Sequence, residues 1–432
     1  MIEERDLFER AADRFDPPAD ALERLFVQRE RRRRNRRAGS AVVALALAMI
    51  AGFALAKAFG NVRHPVPAVR PPTGTVVFSR SVGEPRTYLY TVGRDGHVRR
   101  LLQHGMDTFS ISPEGSRVLF ADYDPNRPDW ILPAVVDLDG SHRRLLRRSV
   151  PMNGMWPQAW SPDGARFVGI GTDFVHPGAT GLYTARVSDG GDLVQITSPP
   201  GRRIDNAIAY SPDGARILFL RPGNDVAGNN GRATKDLFVV NVDGSGVTRL
   251  NPNGTVLGPF DGGIVGTPSP SRVSDPRSAS WSPDGTQVVF AASIGTPKQA
   301  RSRQVQRGLF IVDADGTGAH QIVPPGQILD AQWSPDGAWI AFTRASPDRP
   351  NVFIVHPDGT GLQQLTSSSG GLRSWGPVWS PDGSALLLTR LPDLGGQFDS
   401  KLWFVNVDGS NLTQLTNTPA YYFSYGWSPL QR

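Results

Sequence analysis

Side chains that could bind an anion are concentrated in two segments of this chain, residues 221–235 and 298–307. Together the two segments contain seven Lys or Arg residues and one Asp. Guanidinium and ammonium groups donate several hydrogen bonds and favour carboxylate or phosphate groups. A Gly- and Pro-rich segment with an aromatic residue connects the two. The predicted binding residues are Arg221, Asn230, Arg232, Lys235, Phe260, Lys298, Arg301, Arg303 and Arg307. They predict a basic rim that binds an acidic partner, and the alternative is a set of solvated loops that tolerate charge.

Patterns typical of catalytic, metal or cofactor sites are missing from the sequence. There is no cysteine, and the seven histidines are scattered along the chain. No Gly-x-Ser-x-Gly, His-Glu-x-x-His or Walker pattern occurs. The segments Asp122-x-Asp124-x-Asn126 and Asp313-x-Asp315-Gly resemble parts of calcium loops, but each lacks a required residue and is better explained as a turn. The sequence therefore predicts no enzyme, no metal and no cofactor.

The composition favours a chain of many short strands and excludes several classes of protein. The 432 residues include 47 Gly and 37 Pro, which is typical of many tight turns. The absence of cysteine excludes a disulfide framework. The net charge is +6, but residues 61–432 hold 34 Lys or Arg against 31 Asp or Glu. Nucleic-acid binding needs a denser basic surface, so no nucleic-acid partner is predicted.

One repeated motif organises most of the chain. Ser-Pro-Asp/Glu-Gly occurs six times, with its proline at 113, 162, 212, 283, 335 and 381. In five copies an aromatic residue precedes the serine, and each copy is followed by an apolar run rich in strand formers. A second apolar run comes next and ends in an Asp-Gly turn, before a short third run. One unit is therefore four strands in about fifty residues, with turn residues at both hairpins.

This repeat resembles the TolB-type β-propeller family over residues 74–432. The resemblance implies an all-β propeller. The strand Gly74–Arg80 has no motif before it, whereas Tyr425-Gly426-Trp427-Ser428-Pro429 has no strand after it. We therefore expect the last residues to supply the inner strand of the first blade, which gives a seven-bladed ring closed by the C-terminal strand. TolB itself has six blades beside a small domain, and neither feature is evident here.

The turn chemistry separates two faces of the expected propeller. With strands A to D numbered from inside to outside, every A–B turn is Ser-Pro-Asp/Glu-Gly and every C–D turn is Asp-Gly. The lengths vary only in the B–C and D–A loops, at 122–133, 171–181, 221–236, 251–276, 293–308 and 391–401. Variable loops on a rigid scaffold are the usual place for binding, so this loop face is predicted to be functional. The channel mouth is predicted to be lined by Asp107, Trp156, Asp205, Arg277, Asp330, Trp375 and Phe423, which suits a sugar or peptide ligand or simply packs the mouth.

The N-terminal region predicts a membrane anchor. Residues 38–56 carry no charge, and as a helix they span about 28 Å, close to the thickness of a bilayer core. Seven arginines between Arg29 and Arg37 precede this stretch and predict a cytoplasmic N-terminus with the propeller outside. We expect a partly helical cytoplasmic segment at 1–37, a transmembrane helix at 38–59 and a Pro-rich spacer at 60–73. A cleavable signal peptide ending near Ala54-Leu55-Ala56 is the alternative.

Three functions remain open from the sequence. The first is a single-pass, membrane-anchored propeller that binds an envelope protein or an anionic polymer through the loop face. The second is an enzyme that acts on envelope polysaccharide or peptide at the channel mouth. The third is a transmembrane regulator that docks a cytoplasmic partner through residues 1–37. The absence of a catalytic pattern favours the first.

Overall fold

The computed structural model describes residues 74–81, 87–93, 96–105, 109–147, 154–172, 177–200, 203–223, 235–257, 279–294, 307–345, 349–368, 371–392, 399–418 and 420–428. All of them belong to the larger of the chain's two units, Ala68–Arg432. The predicted segments 1–37, 38–59 and 60–73 lie outside the described residues. Within the described ranges, no helix is long and apolar enough to cross a bilayer.

The described ranges consist almost entirely of β-strands, with one 3₁₀ turn at Pro177–Ala179. The first strands along the chain are β1 (Thr75–Ser81), β2 (Thr87–Val92), β3 (Val98–Gly105), β4 (Phe109–Ile111), β5 (Arg117–Asp124), β6 (Arg127–Asp137), β7 (Arg144–Leu145), β8 (Met155–Trp160), β9 (Arg166–Gly171), β10 (Gly181–Arg186), β11 (Val194–Gln195), β12 (Asn206–Tyr210), β13 (Arg216–Pro222), β14 (Lys235–Asn241) and β15 (Thr248–Arg249). They are followed by β16 (Thr255–Val256), β17 (Ala279–Trp281), β18 (Gln287–Ile294), β19 (Arg307–Asp313), β20 (His320–Ile328), β21 (Gln332–Trp333), β22 (Ile340–Ala345), β23 (Pro350–Val355), β24 (Gln363–Gln364), β25 (Leu372–Trp379), β26 (Ala385–Pro392), β27 (Lys401–Asn406), β28 (Thr413–Gln414) and β29 (Tyr421–Ser428).

The strands form antiparallel sets of four, which we number along the chain. Set 1 is β29-β1-β2-β3, set 2 is β4–β7, set 3 is β8–β11, set 4 is β12–β15 and set 7 is β25–β28, and each of these is a separate sheet. Sets 5 (β17–β20) and 6 (β21–β24) share one nine-stranded sheet that also includes β16. The link between these two sets is short, because β20 and β22 pair only through Gln327 with Ala345 and Ile328 with Arg344.

The first strands of the sets contact one another in a closed order: β29, β4, β8, β12, β17, β21, β25 and back to β29. The sheets are therefore arranged around a common centre, and the first strand of each set is the innermost. This is the arrangement of a β-propeller, as the repeat predicts.

The Ser-Pro-Asp-Gly turns form as the sequence predicts, through local hydrogen bonds. In set 3 the Ser161 hydroxyl donates to the Asp163 carboxylate at 2.5 Å and accepts from the backbone N–H of Arg166 at 2.9 Å. Gly164 has a φ of +68°, a conformation that side chains with a Cβ rarely adopt. The turns also touch between sets, because a Cβ placed on Gly214 would be only 3.6 Å from Cδ of Pro162. The motif therefore shapes both the hairpin and the contact between neighbouring sheets.

The core lies between the sheets, where the aromatic residue of the motif packs. One cluster joins Leu119 and Val135 of set 2 to Trp160, Phe167 and Tyr183 of set 3. Trp160 is 6% exposed, and its indole N–H donates to the carbonyl of Ser110 in the preceding set at 3.0 Å. Burial of these apolar faces and the interleaved aromatic rings hold adjacent sheets together.

The C-terminal strand completes the first sheet, as expected. In β29, Ser424, Tyr425, Gly426 and Trp427 pair with Ser79, Phe78, Val77 and Val76 of β1, respectively. The Trp427 indole donates to the carbonyl of Val378 in set 7 at 3.1 Å. One predicted loop is wrong: most of 122–133 is strand, because β5 extends to Asp124 and β6 begins at Arg127. The apolar residues Ile131 and Leu132 continue the ladder and leave only a short hairpin there.

Candidate functional site

Half of the residues predicted from the sequence to form the binding site lie within the described ranges. Those on the rim are Arg221, Lys235 and Arg307, and those at the channel mouth are Trp156, Asp205, Asp330, Trp375 and Phe423. The others lie outside the described ranges: Asn230, Arg232, Phe260, Lys298, Arg301, Arg303, Asp107 and Arg277. The described part of the site therefore consists of residues on the strands beside the loops.

Arg221 and Asp205 are brought together, although the sequence placed one on the rim and the other at the mouth. Arg221 Nε and Nη2 donate to the two Asp205 oxygens at 2.9 and 2.7 Å. The Asp205 side chain is fully buried and that of Arg221 is 19% exposed. The guanidinium also lies over Phe219 and Phe238, with 5.2 and 5.1 Å from Cζ to the ring centroids. Arg221 is thus the counter-ion of a buried carboxylate, not a free cation of the rim.

Asp330 is likewise engaged inside the protein. Its two oxygens accept from the backbone N–H of Thr343 at 2.6 Å and from the Thr343 hydroxyl at 2.8 Å. The same hydroxyl accepts from the N–H of Gly376 at 3.1 Å, which joins set 6 to set 7. Asp330 therefore holds Thr343 of β22, the second strand of set 6, and Thr343 in turn contacts the innermost strand β25 of set 7.

The remaining described site residues belong to innermost strands or begin third strands. Trp156 and Trp375 are half-buried and belong to the inner strands β8 and β25, and Phe423 belongs to β29. Lys235 begins β14, and its backbone exchanges hydrogen bonds with Leu257 at 2.9 and 3.0 Å. Arg307 begins β19 opposite Ser293. The three aromatic residues thus belong to innermost strands, and the two cations begin third strands.

A set of arginines at the loop-face ends of the second strands was missed in the sequence. Aligning the repeats on the motif serine reveals them, since each lies ten residues after that serine, or at the equivalent position in the split first set. They are Arg80, Arg221, Arg344 and Arg390. Three lie over aromatic rings of their own sheets, Arg80 over Tyr90 at 4.1 Å, Arg221 over Phe238 at 5.1 Å and Arg390 over Trp403 at 5.0 Å. These stacked guanidinium groups form a second basic feature of this face.

The opposite face, made of the tight turns, carries carboxylates whose pKa values are lowered. A hydrogen bond from the serine two residues earlier is the main cause at Asp163, Asp213, Asp284 and Asp336. In the Asp-Gly turns, a Ser or Thr two residues later lowers the pKa values of Asp243, Asp315, Asp358 and Asp408. These groups stay ionised below the usual range because hydrogen bonds stabilise the charged form. The turn face therefore carries ionised carboxylates together with arginines of its own, since Arg117 pairs with Glu114 and Arg186 with Asp189.

The described residues offer no ready metal site, since no group of three or more His, Asp or Glu side chains converges within them. Asp122 and Asp124 are ion-paired with Arg143 and Arg147, respectively. Asp315 accepts from the backbone N–H of Thr317 at 2.8 Å, as expected for a turn. The two segments that resemble calcium loops thus use these carboxylates for ion pairs and turns.

The fold and these sites define an all-β propeller with a face of tight turns and a loop face carrying stacked arginines. No family model matches the chain. In sequence, the chain is 31% identical over 83 residues to the Tol-Pal system protein TolB of Syntrophus aciditrophicus, covering 19% of this chain and 17% of that protein. It is 30% identical over 118 residues to dipeptidyl-peptidase 5 of Porphyromonas endodontalis, covering 26% of this chain and 16% of that protein. The chain thus spans about a sixth of the length of each of these two relatives.

Solved structures show the same fold at low sequence identity. The β-propeller domain of the trilobed protease from Pyrococcus furiosus superposes with a TM-score of 0.53 at 12% identity, covering 81% of this chain and 96% of that domain. Oligogalacturonate lyase from Vibrio parahaemolyticus gives 0.52 at 15% identity, covering 77% of this chain and 86% of that one. The chain is therefore a β-propeller with sequence similarity to TolB, consistent with a TolB-like propeller family. Proteins of similar fold or sequence include a Tol-Pal component, peptidases and a lyase.

Proposed function

We propose that this chain is a binding protein: a seven-bladed, membrane-anchored propeller that captures an envelope protein outside the cytoplasm through its loop face. The nine-stranded sheet counts as two blades, because only two residue pairs join sets 5 and 6. The closed order of seven innermost strands supports the same count. The anchor rests on the uncharged stretch within residues 38–59 and the arginines before it.

The observation that carries the binding role is the difference between the two faces. The turn face uses its motif residues on local hydrogen bonds and on packing between neighbouring turns. The loop face carries three arginines without a carboxylate opposite them, Arg80, Arg344 and Arg390, and the cation-rich segments 221–235 and 298–307. Cations over aromatic rings beside long loops suit an acidic protein surface. The sequence similarity to TolB supports a protein as the partner.

An enzyme at the channel mouth is the second candidate, favoured by the sequence similarity to dipeptidyl-peptidase 5. Catalysis there needs a carboxylate free to act as acid or base. The two described carboxylates of the predicted mouth, Asp205 and Asp330, are held by Arg221 and Thr343. This arrangement favours binding over catalysis. A regulator acting through residues 1–37 remains a third hypothesis.

The binding face is tested with the full-length chain, purified from membranes and photo-crosslinked to envelope proteins. One variant replaces five loop-face cations, Arg232, Lys235, Arg301, Arg303 and Arg307, by Gln. The matched control replaces five turn-face carboxylates, Asp139, Asp243, Asp315, Asp358 and Asp408, by Asn. We expect the loop-face variant to lose the crosslinked partner and the salt dependence of binding, and the control to keep both. Loss in the control alone would place binding on the turn face and contradict the proposal.

A further inference from the structure

The four arginines at the ends of the second strands have different residues opposite them. The position opposite lies six residues before the motif serine. The pairs are Arg80 with Tyr422, Arg221 with Asp205, Arg344 with Ile328 and Arg390 with Ser374. Only set 4 therefore has a carboxylate opposite its arginine. The four sets can therefore be compared by the residue that lies opposite the arginine.

Set 4 shows what a complete site looks like. Asp205 is fully buried and receives two hydrogen bonds from Arg221, at 2.9 and 2.7 Å. The same guanidinium lies over the ring of Phe238. A planar carboxylate therefore fits against the arginine at this position of the fold.

Set 7 has the same arginine without the carboxylate. Arg390 is 6% exposed and lies over Trp403, and its Nη2 donates to the carbonyl of Ser367 at 3.0 Å. Its Nε is buried and has no acceptor. Directly opposite, the fully buried Ser374 has a hydroxyl group without a hydrogen-bond partner. Two cross-strand partners thus each carry an unsatisfied polar atom, which is unfavourable for buried groups.

The positive charge of Arg390 also indicates that an anion is missing beside it. Burial lowers the pKa of Arg390, and no carboxylate of the described residues raises it. A buried cation needs a counter-ion, because the interior solvates a charge poorly. Ser374 carries a hydroxyl where Asp205 carries a carboxylate, so set 7 lacks the one group that completes set 4.

We propose that Arg390 and Ser374 form a binding site for a carboxylate of the acidic protein partner, an Asp or Glu side chain or a C-terminus. The ligand carboxylate accepts from Arg390 Nε and from the Ser374 hydroxyl, as Asp205 accepts from Arg221. Arg390 lies two residues before the end of β26 at Pro392, at the loop-face end of the strand. This inference rests on the proposed function, because it names the group that the loop face binds.

The test uses the full-length chain and the peptide triglutamate, with triglutamine as the uncharged probe. Ser374→Asp supplies the missing carboxylate from within the protein, and Ser374→Ala removes one of the two proposed donors. We expect saturable binding of triglutamate to the native chain and weaker binding to Ser374→Ala, because the ligand loses the hydrogen bond from the hydroxyl. The internal ion pair of Ser374→Asp should weaken binding by about 10- to 100-fold, the usual effect of losing a hydrogen bond to a charged group. Ser374→Asp should also raise the midpoint of thermal unfolding without ligand, whereas Ser374→Ala should not.

Several results would overturn the site. Equal affinity of Ser374→Asp and the native chain would mean that triglutamate binds elsewhere. A lower melting midpoint for Ser374→Asp would show that no carboxylate fits opposite Arg390. Binding of trigalacturonate or inorganic phosphate without binding of triglutamate would assign the site to another anion. None of these results affects the crosslinking test, so loss of this site and failure of the loop-face proposal are distinguishable.

Discussion

Replacing Trp427 by Ala tests whether the C-terminal strand closes the ring. Trp427 is 6% exposed and packs with Val76 of β1 and with Leu387 and Phe404 of set 7. Its indole N–H is the donor to the carbonyl of Val378 at 3.1 Å. The side chain therefore joins the first and last sheets at the point where the two ends of the propeller meet.

The expected loss can be worked out from these contacts. Truncating a buried Trp to Ala costs about 3–5 kcal/mol, and an unsatisfied Val378 carbonyl adds about 1 kcal/mol. The sum, about 4–6 kcal/mol, is a large part of the 5–15 kcal/mol that stabilises an ordinary domain. At about 2 °C per kcal/mol for a large domain, the melting midpoint should fall by roughly 10 °C.

The assay is thermal and urea unfolding of the full-length chain, followed by far-UV circular dichroism and tryptophan fluorescence. Tyr123→Ala is the control, because Tyr123 is 53% exposed and its loss should change stability by less than about 0.5 kcal/mol. Removing residues 421–432 should cause a larger loss, since β1 then becomes an unpaired edge. A Trp427→Ala chain that melts with the native midpoint would show that this contact does not hold the ring closed.

Three further predictions concern charge and topology. Asp205→Asn should destabilise the chain by about 3–5 kcal/mol because Arg221 loses its buried counter-ion, and a double-mutant cycle with Arg221→Gln that gives no coupling would contradict this pair. The lowered pKa values of Asp163, Asp213, Asp284 and Asp336 contribute stability that is fully present above the ordinary Asp pKa and is lost as the pH falls through the lower folded values. Ser161→Ala should therefore raise the pKa of Asp163, measured by NMR titration. An unchanged pKa would show that the hydrogen bond from Ser161 does not cause the lowered value. Protease added to intact spheroplasts should digest the region 61–432 and spare the first thirty residues. Digestion only after lysis would contradict the predicted orientation.

Much of the fold is readable from the sequence because its signals are local. Each Ser-Pro-Asp-Gly copy carries its own turn, through hydrogen bonds that span five residues, as between Ser161 and Arg166. The partial motif at Trp427-Ser428-Pro429 predicts ring closure for the same reason, since a unit without its following strand needs the strand that begins at Thr75. The sequence predicts a loop instead of a hairpin at 122–133 because the polar residues of this segment are typical of loops. The strands form there because the residues of β5 and β6 pair with each other.

The candidate site was only partly predictable because it depends on which residues face each other. Arg221 and Asp205 were both singled out, but their pairing follows from the register of β12 and β13, in which a bulge shifts the partners. Arg390 and Ser374 were not singled out, because neither belongs to a motif and their unsatisfied atoms exist only where burial removes water. An alignment of the repeats on the motif serine shows the arginines and the residues six positions before the serine, but only the strand register shows that the two positions face each other.

The sequence by itself determined the repeat, the turn chemistry, the two unlike faces and the strand that closes the ring, because each depends on neighbouring residues along the chain. The tertiary structure alone decided which charges are neutralised and which are left without a partner. The four arginines at the ends of the second strands occupy the same position of the repeat. Only the strand register and burial distinguish Arg221, which has Asp205, from Arg390, which has Ser374. That distinction is a property of the folded sheet, because an exposed arginine in water needs no partner and a buried one does.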